Sequence, residues 1–192
     1  YLRAAHDALI LGADCCYCAA STQVIERLAA EGIPVVGHVG LIPSRRTWTG
    51  GFRAVGKTLE TAQLVYRQVK DLEHAGAFAA EIEVVPEAVA SEIAKRTSLF
   101  LMSMGAGRGC DAQYLFSCDV LGYTDGVGHA PRHAKQYRNF AAEYERLQRE
   151  RVAAYGEFVA DVASGAYPQD EHLVPVADDV LAAFVASLDP VE

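Results

Sequence analysis

A chain of 192 residues, 51% of them apolar, is long enough to bury a real core, and one domain is the default at that length. Its formal charge of -8, with no Lys/Arg block, argues against nucleic acid and anionic membranes as partners, because both are bound through clustered positive charge. No apolar run approaches the roughly 18 residues that span a bilayer, and the N-terminus lacks a signal-peptide pattern, so the expected location is cytoplasmic.

Short apolar runs alternate with longer segments of helical period. Residues 2–11 read as a helix stopped by Gly12, followed by a strand over 14–19. Residues 21–30 place Val24, Ile25, Leu28 and Ala29 on one helical face, and Gly32 ends that helix before a strand over 33–38. The third helix runs over 58–74, with Thr58 as N-cap and Leu64, Val65, Val69 and Leu72 as its apolar stripe. A strand over 78–85, a helix over 87–95 and a strand over 99–104 follow. After the loop Gly105-Ala106-Gly107-Arg108-Gly109 come a short helix from Asp111 and a last apolar run at Val120-Leu121. Beyond Gly128 the pattern is helical and charged to about residue 163, with a final helix over 178–188. This alternation predicts an α/β fold with a parallel sheet and right-handed crossovers.

Five cysteines, Cys15, Cys16, Cys18, Cys110 and Cys118, are odd in number and form no pair of C-x-x-C units. They fit free thiols in a reducing compartment. The cluster at 15–18 reads as small buried hydrophobes, although thiolates also bind soft metals.

The stretch from Gly51 through Thr58 satisfies G-x-x-x-x-G-K-[ST], the phosphate-cradling pattern of a nucleotide-binding loop. That cradle requires a buried strand ending at the first glycine, with a helix opening at the Lys-Thr. Residues 44–50 are polar and turn-like, so only the helix is expected, and nucleotide binding is the lesser reading.

Gly37-His38-Val39-Gly40-Leu41-Ile42-Pro43, followed by Gly50-Gly51-Phe52-Arg53, resembles ketopantoate hydroxymethyltransferase, whose strand end G-H-[LV]-G-L-x-P precedes a G-G-[FY]-[KR] loop. The likeness continues in order through Ala75-Gly76-Ala77, Glu83-Val84-Val85-Pro86, Gly105-Ala106-Gly107, Asp111-Ala112-Gln113, Asp119-Val120-Leu121-Gly122, Gly128-His129-Ala130-Pro131 with Ala134-Lys135, and Ser164-Gly165-Ala166-Tyr167-Pro168. The resemblance implies a (β/α)₈ barrel of TIM type in the phosphoenolpyruvate/pyruvate superfamily, a fold that typically takes about 250 residues. The chain would then hold roughly the last five βα units as a single domain, with a helical extension over about 138–192. Five strands do not close as eight do, so Tyr1 is expected to follow a further N-terminal segment.

The resemblance further implies hydroxymethyl transfer from 5,10-methylenetetrahydrofolate to 2-oxoisovalerate (3-methyl-2-oxobutanoate), giving ketopantoate for pantothenate biosynthesis. Mg²⁺ polarises the 2-oxo acid in that family, and its two aspartate ligands lie upstream of Tyr1. Homo-oligomeric assembly is implied as well. Removing a proton beside a carbonyl requires a base within reach and an electrophile for the enolate charge. Glu83 matches the family base and His38 the substrate-binding histidine. Where the family carries a lysine and, two residues on, a glutamate, this chain has Tyr17 and Ala19, both on one strand face. That replacement leaves open a diverged member acting on another 2-oxo acid, or one without catalysis.

Glu81 shares the strand face of Glu83 and would point deeper into a barrel. A second buried carboxylate there calls for a paired Arg or Lys, or for a strand shift that turns it outward.

Overall fold

Five short strands form one parallel sheet, and their spatial order repeats their order in the chain. They are β1 (Cys16–Tyr17), β2 (Val35–Gly40), β3 (Ala79–Glu83), β4 (Phe100–Met104) and β5 (Ala112–Gln113). The computed structural model describes residues 1–123 and 131–188, so the landmark residues Gly128, His129 and Ala130 lie outside it. Helices α1 (Leu2–Ile10), α2 (Thr22–Ala30), α3 (Leu59–His74) and α4 (Glu87–Ala94) precede β1 to β4 respectively. A doubly wound sheet reverses its strand order at a switch point. This sheet does not, and sequential parallel order is what successive βα units of a TIM-type barrel produce.

The helices begin and end where local chemistry dictates. Thr58 caps α3: its hydroxyl accepts the Thr61 N–H (3.2 Å), and the Thr61 hydroxyl accepts the Thr58 N–H (3.0 Å). At the far end of α3, the Glu73 carboxylate reaches across to the chain entering β4. It accepts the Ser98 N–H at 2.7 Å and the Ser98 hydroxyl at 2.6 Å, and it pairs with Lys70.

Strands β2 and β3 are buried along their whole length, as parallel strands covered on both faces are. Gly37 shows which face meets the helices, because a Cβ there would lie 2.5 Å from Leu72 of α3. Alternation then puts Val35, Gly37 and Val39 toward α2 and α3, with Ala80, Ile82 and Leu101 beside them, among the core residues Ile25, Leu28, Val65 and Val69. The opposite face carries Val36, His38 and Gly40, aligned with Ala79, Glu81 and Glu83.

Two expectations are corrected. No helix opens at Asp111: its N–H donates to the Leu101 carbonyl (3.0 Å) and its carboxylate accepts the Leu101 N–H (2.8 Å), which docks the following residues on β4 as strand β5. The apolar run Val120-Leu121 lies in helix α5 (Ser117–Leu121), ended by Gly122. The first strand is also shorter than predicted, two residues at the sheet edge.

The chain divides into two compact units, Tyr1–Asn139 and Phe140–Glu192. The second consists of α6 (Phe140–Ser164), a 3₁₀ turn at Asp170–His172 and α7 (Asp178–Ala186). Within it the Tyr167 ring packs against Phe158 and His172, with centroids at 5.5 and 5.1 Å. No helix among the described residues is long and apolar enough to cross a membrane.

The hydrogen bonds from Lys70 and Ser98 lower the Glu73 carboxyl from 4.5 to about 2. A depressed carboxylate stabilises the fold above its unfolded pKa and loses that contribution as pH falls through the folded value. Glu73→Gln should therefore cost about 1 kcal/mol at neutral pH. In urea titrations the difference from the parent chain should fade between pH 4.5 and about 2.

Candidate functional site

The pairing of β2 with β3 places His38 directly beside Glu81, and Gly40 beside Glu83. Because side chains alternate, His38, Glu81 and Glu83 emerge on one face. They are 8%, 3% and 8% exposed. Glu83 is the last residue of β3, and His38 lies within β2, two residues before its end.

His38 is held on both sides of its ring. Nε2 lies 3.0 Å from a Glu83 carboxylate oxygen and 3.0 Å from the Leu41 carbonyl, while Nδ1 meets the Tyr17 hydroxyl. Both partners of Nε2 are acceptors, so in the neutral ring the proton sits on Nε2 and Nδ1 accepts from Tyr17. Tyr17 reaches the histidine because β1 pairs with β2 in a register that sets Tyr17 opposite Val36, one step along the same face.

The backbone after Glu83 is bent. Val84 has φ 49°, left-handed backbone that a β-branched residue adopts only under constraint. The constraint is visible: its N–H donates to Met104 at 2.8 Å, and its carbonyl accepts the Val55 N–H at 3.1 Å. Such a conformation costs on the order of 1–3 kcal/mol. Across from it, Gly40 has φ 84°, and a Cβ there would fall 2.4 Å from the Glu83 carbonyl oxygen. Only glycine lets the two strand ends approach this closely.

The sequence-based expectation for Glu81 is wrong in both its forms. Glu81 stays in register and points inward, and among the described residues no Arg or Lys forms an ion pair with it. Its neighbours are the Tyr17 hydroxyl, His38 and Glu83. Burial raises the Glu81 pKa, and the Glu83 charge adds to that, against the lowering effect of His38 and Tyr17. Burial, followed by Glu81 itself, pushes the Tyr17 phenol far upward, so Tyr17 remains a hydroxyl donor at any ordinary pH. One donor atom from each of His38, Glu81 and Glu83 lies within 4.8 Å of the others. Two carboxylate charges at that separation repel by roughly 3.5 kcal/mol at an effective dielectric of about 20. The arrangement calls for a proton or a cation.

Two cavities meet at Glu83. One, about 300 Å³, is lined by Tyr17, Ala19, His38, Glu81, Tyr114 and Phe116 among others. The second, about 920 Å³, is bordered by Phe52, Arg53, Lys57, Arg132 and His133 as well as Glu83. The smaller thus has an acidic wall and the larger a cationic rim.

The other sequence candidates separate cleanly. Residues Pro43–Thr49 before the phosphate-loop pattern form a 3₁₀ helix, β2 having ended at Gly40, and the Thr58 hydroxyl is spent capping α3. The strand that a phosphate cradle needs is not there. In the Gly105-Ala106-Gly107 loop the Ala106 N–H donates to the Ser103 hydroxyl (3.1 Å), and the following Arg108 N–H donates to the Glu87 carboxylate (3.3 Å). Cys15, Cys16 and Cys18 are free thiols, and Cys18 is buried. The metal-capable group among the described residues is His38, Glu81 and Glu83. An imidazole within that donor set departs from the all-oxygen coordination that Mg²⁺ prefers, so these residues do not fit the magnesium site implied by the family resemblance.

The sequence motifs do not by themselves join Tyr17 and Glu81 to His38. The alternation of Glu81 with Glu83 was the available signal, but the β1 register that brings Tyr17 alongside is tertiary.

Gly40→Ala should destabilise the fold by about 2–4 kcal/mol, combining left-handed strain with the clash at Glu83, as read from denaturant midpoints. The raised Glu81 carboxyl favours the protonated folded state, so its contribution is fully present below the ordinary glutamate pKa of 4.5. It is lost as pH rises through the folded value. In metal-free solution, unfolding free energy should fall with rising pH above 4.5, and Glu81→Gln should flatten that slope.

Residues 14–170 match the family model described as Ketopantoate hydroxymethyltransferase. The chain is 36% identical over 159 residues to the 3-methyl-2-oxobutanoate hydroxymethyltransferase of Halalkalibacterium halodurans, covering 83% of this chain and 54% of that protein. The Thermotoga neapolitana protein of the same name is 39% identical over 151 residues, covering 79% and 53%, and that of Enterococcus faecalis 37% over 158 residues, covering 82% and 54%. The chain thus spans about half the length of these relatives. Together with the ordered motifs and the sequential parallel sheet, these matches establish that the chain belongs to the ketopantoate hydroxymethyltransferase family.

Proposed function

We propose that this chain takes part in hydroxymethyl transfer to a 2-oxo acid, with Glu83 as the base. In this reading 3-methyl-2-oxobutanoate loses its C3 proton to a Glu83 carboxylate oxygen. Water hydrolyses the methylene bridge of 5,10-methylenetetrahydrofolate, releasing tetrahydrofolate and formaldehyde, and the enolate carbon attacks the formaldehyde carbon, whose oxygen takes up a proton to give ketopantoate. The observation that carries the reading is the position of Glu83, at a strand end where barrel active sites lie, shared by both cavities and hydrogen-bonded to His38.

Each neighbour has a physical role in the proposal. The His38 Nε2–H orients the carboxylate and turns to the substrate oxygen when substrate displaces one of its two acceptors. Arg53, Lys57 and Arg132 on the rim of the larger cavity attract the carboxylates of the oxo acid and the folate. The bend at Val84 fixes where the Glu83 side chain leaves the sheet. The same reading includes assembly into a homo-oligomer. No step is assigned to Mg²⁺, because the described donor set does not suit it.

A second reading, a diverged member acting on another 2-oxo acid, is favoured by Tyr17 and Ala19 in the small cavity, where the family resemblance expects a lysine and a glutamate. Both readings share the base. Incubation with 3-methyl-2-oxobutanoate in D₂O should exchange the C3 proton, and addition of methylenetetrahydrofolate should give ketopantoate. Glu83→Gln should slow both by about 10²–10⁴-fold, the usual worth of a positioned base. A folded chain that exchanges no proton from this or other 2-oxo acids removes the assignment. Exchange only with other 2-oxo acids selects the second reading.

A further inference from the structure

We propose that His38, Glu81 and Glu83 form a site for a divalent transition-metal ion of the zinc class, produced by this chain's own residues and separate from the family's magnesium site. The donors are one imidazole nitrogen and two carboxylate oxygens, mutually within 4.8 Å. Nitrogen and oxygen ligands bind Zn²⁺ at about 2.0–2.2 Å, so an ion between them needs only small carboxylate rotations. The backbone already fixes the ligands, since His38 and Glu81 are register partners and Glu83 lies one step along the same face.

Several further observations point the same way. The three groups are buried together with no Lys or Arg ion pair among the described residues, so a doubly charged cation would neutralise both carboxylates. Nε2 faces Glu83, which makes it the coordinating nitrogen, and Nδ1 faces the Tyr17 hydroxyl. A metal-bound histidine characteristically donates its other N–H to an acceptor that fixes the ring. Tyr17 supplies that acceptor, and its own proton is then free for Glu81. Three protein ligands leave a fourth position, which opens on the cavity lined by Ala19, Tyr114 and Phe116. Open coordination of this kind distinguishes reactive zinc sites from closed structural ones.

An ion held here engages Glu83, so metal binding and proton abstraction by Glu83 are alternative states of one site. Glu81 has no part in the proton abstraction, and the two readings therefore fail separately. Metal affinity without C3 exchange leaves this inference standing and removes the base. Exchange without metal affinity does the reverse.

The test is calorimetric titration of the metal-stripped 192-residue chain with Zn²⁺, together with the optical spectrum of the Co²⁺ form. One ion should bind per chain, Co²⁺ should show no thiolate charge-transfer band, and excess Mg²⁺ should not displace Zn²⁺. Losing an outer-shell partner alone costs about 10–100-fold in affinity, so Glu81→Gln should lower it by about 100-fold or more. Replacing Cys15, Cys16 and Cys18 together by serine should leave it unchanged. Absence of binding, a thiolate band, or full affinity in a folded Glu81→Gln variant overturns the proposal. Should that variant fail to fold, the cobalt spectrum of the unsubstituted chain decides.

Discussion

The pairing of β2 with β3 controls the chemistry of this molecule. A single register sets His38 against Glu81 and Gly40 against Glu83, and a slip of β2 by one residue would turn His38 into the helix-packed core, away from Glu81 and Glu83. The helix-facing residues resist that slip. Val35, Val39, Ala80 and Ile82 are fully or almost fully buried against α2 and α3. An apolar face packed well on one side of the sheet therefore fixes a polar constellation on the other.

Around that register the backbone is drawn tight. Gly40 permits an approach to Glu83 that no side chain would allow, and Val84 is held in a left-handed conformation by bonds to Met104 and Val55. Strain of this kind persists where neighbours over-determine it. Here it lies next to the carboxylate that closes β3, and the sheet core maintains the geometry.

Within the family framework this chain has exchanged one kind of charge balance for another. The resemblance expects a lysine and a glutamate at the positions of Tyr17 and Ala19, and this chain instead has a neutral hydroxyl and a methyl group there. Glu81, on the next strand but one, adds a carboxylate to the same face. The result is a buried cluster of one imidazole and two acids, with a phenol as its hydrogen-bonding neighbour. Such a cluster is completed by protons or by a metal ion, and the small cavity beside it gives access to either.

Sequence alone determined the parallel α/β class, the order of the helices and the first four strands, because hydrophobic period, caps and glycine stops are local signals. It also singled out His38 and Glu83, and it rejected the phosphate loop from the polar run that became a 3₁₀ helix. Tertiary structure alone decided the rest. Asp111 bonds to Leu101 and makes β5 a strand, which no local propensity announces. The neighbours of Glu81 depend on which strands pair and in what register, so the expected Arg or Lys gave way to Tyr17 and His38. Period tells which face a side chain takes, whereas the groups that share that face are set by contacts between residues far apart in the chain.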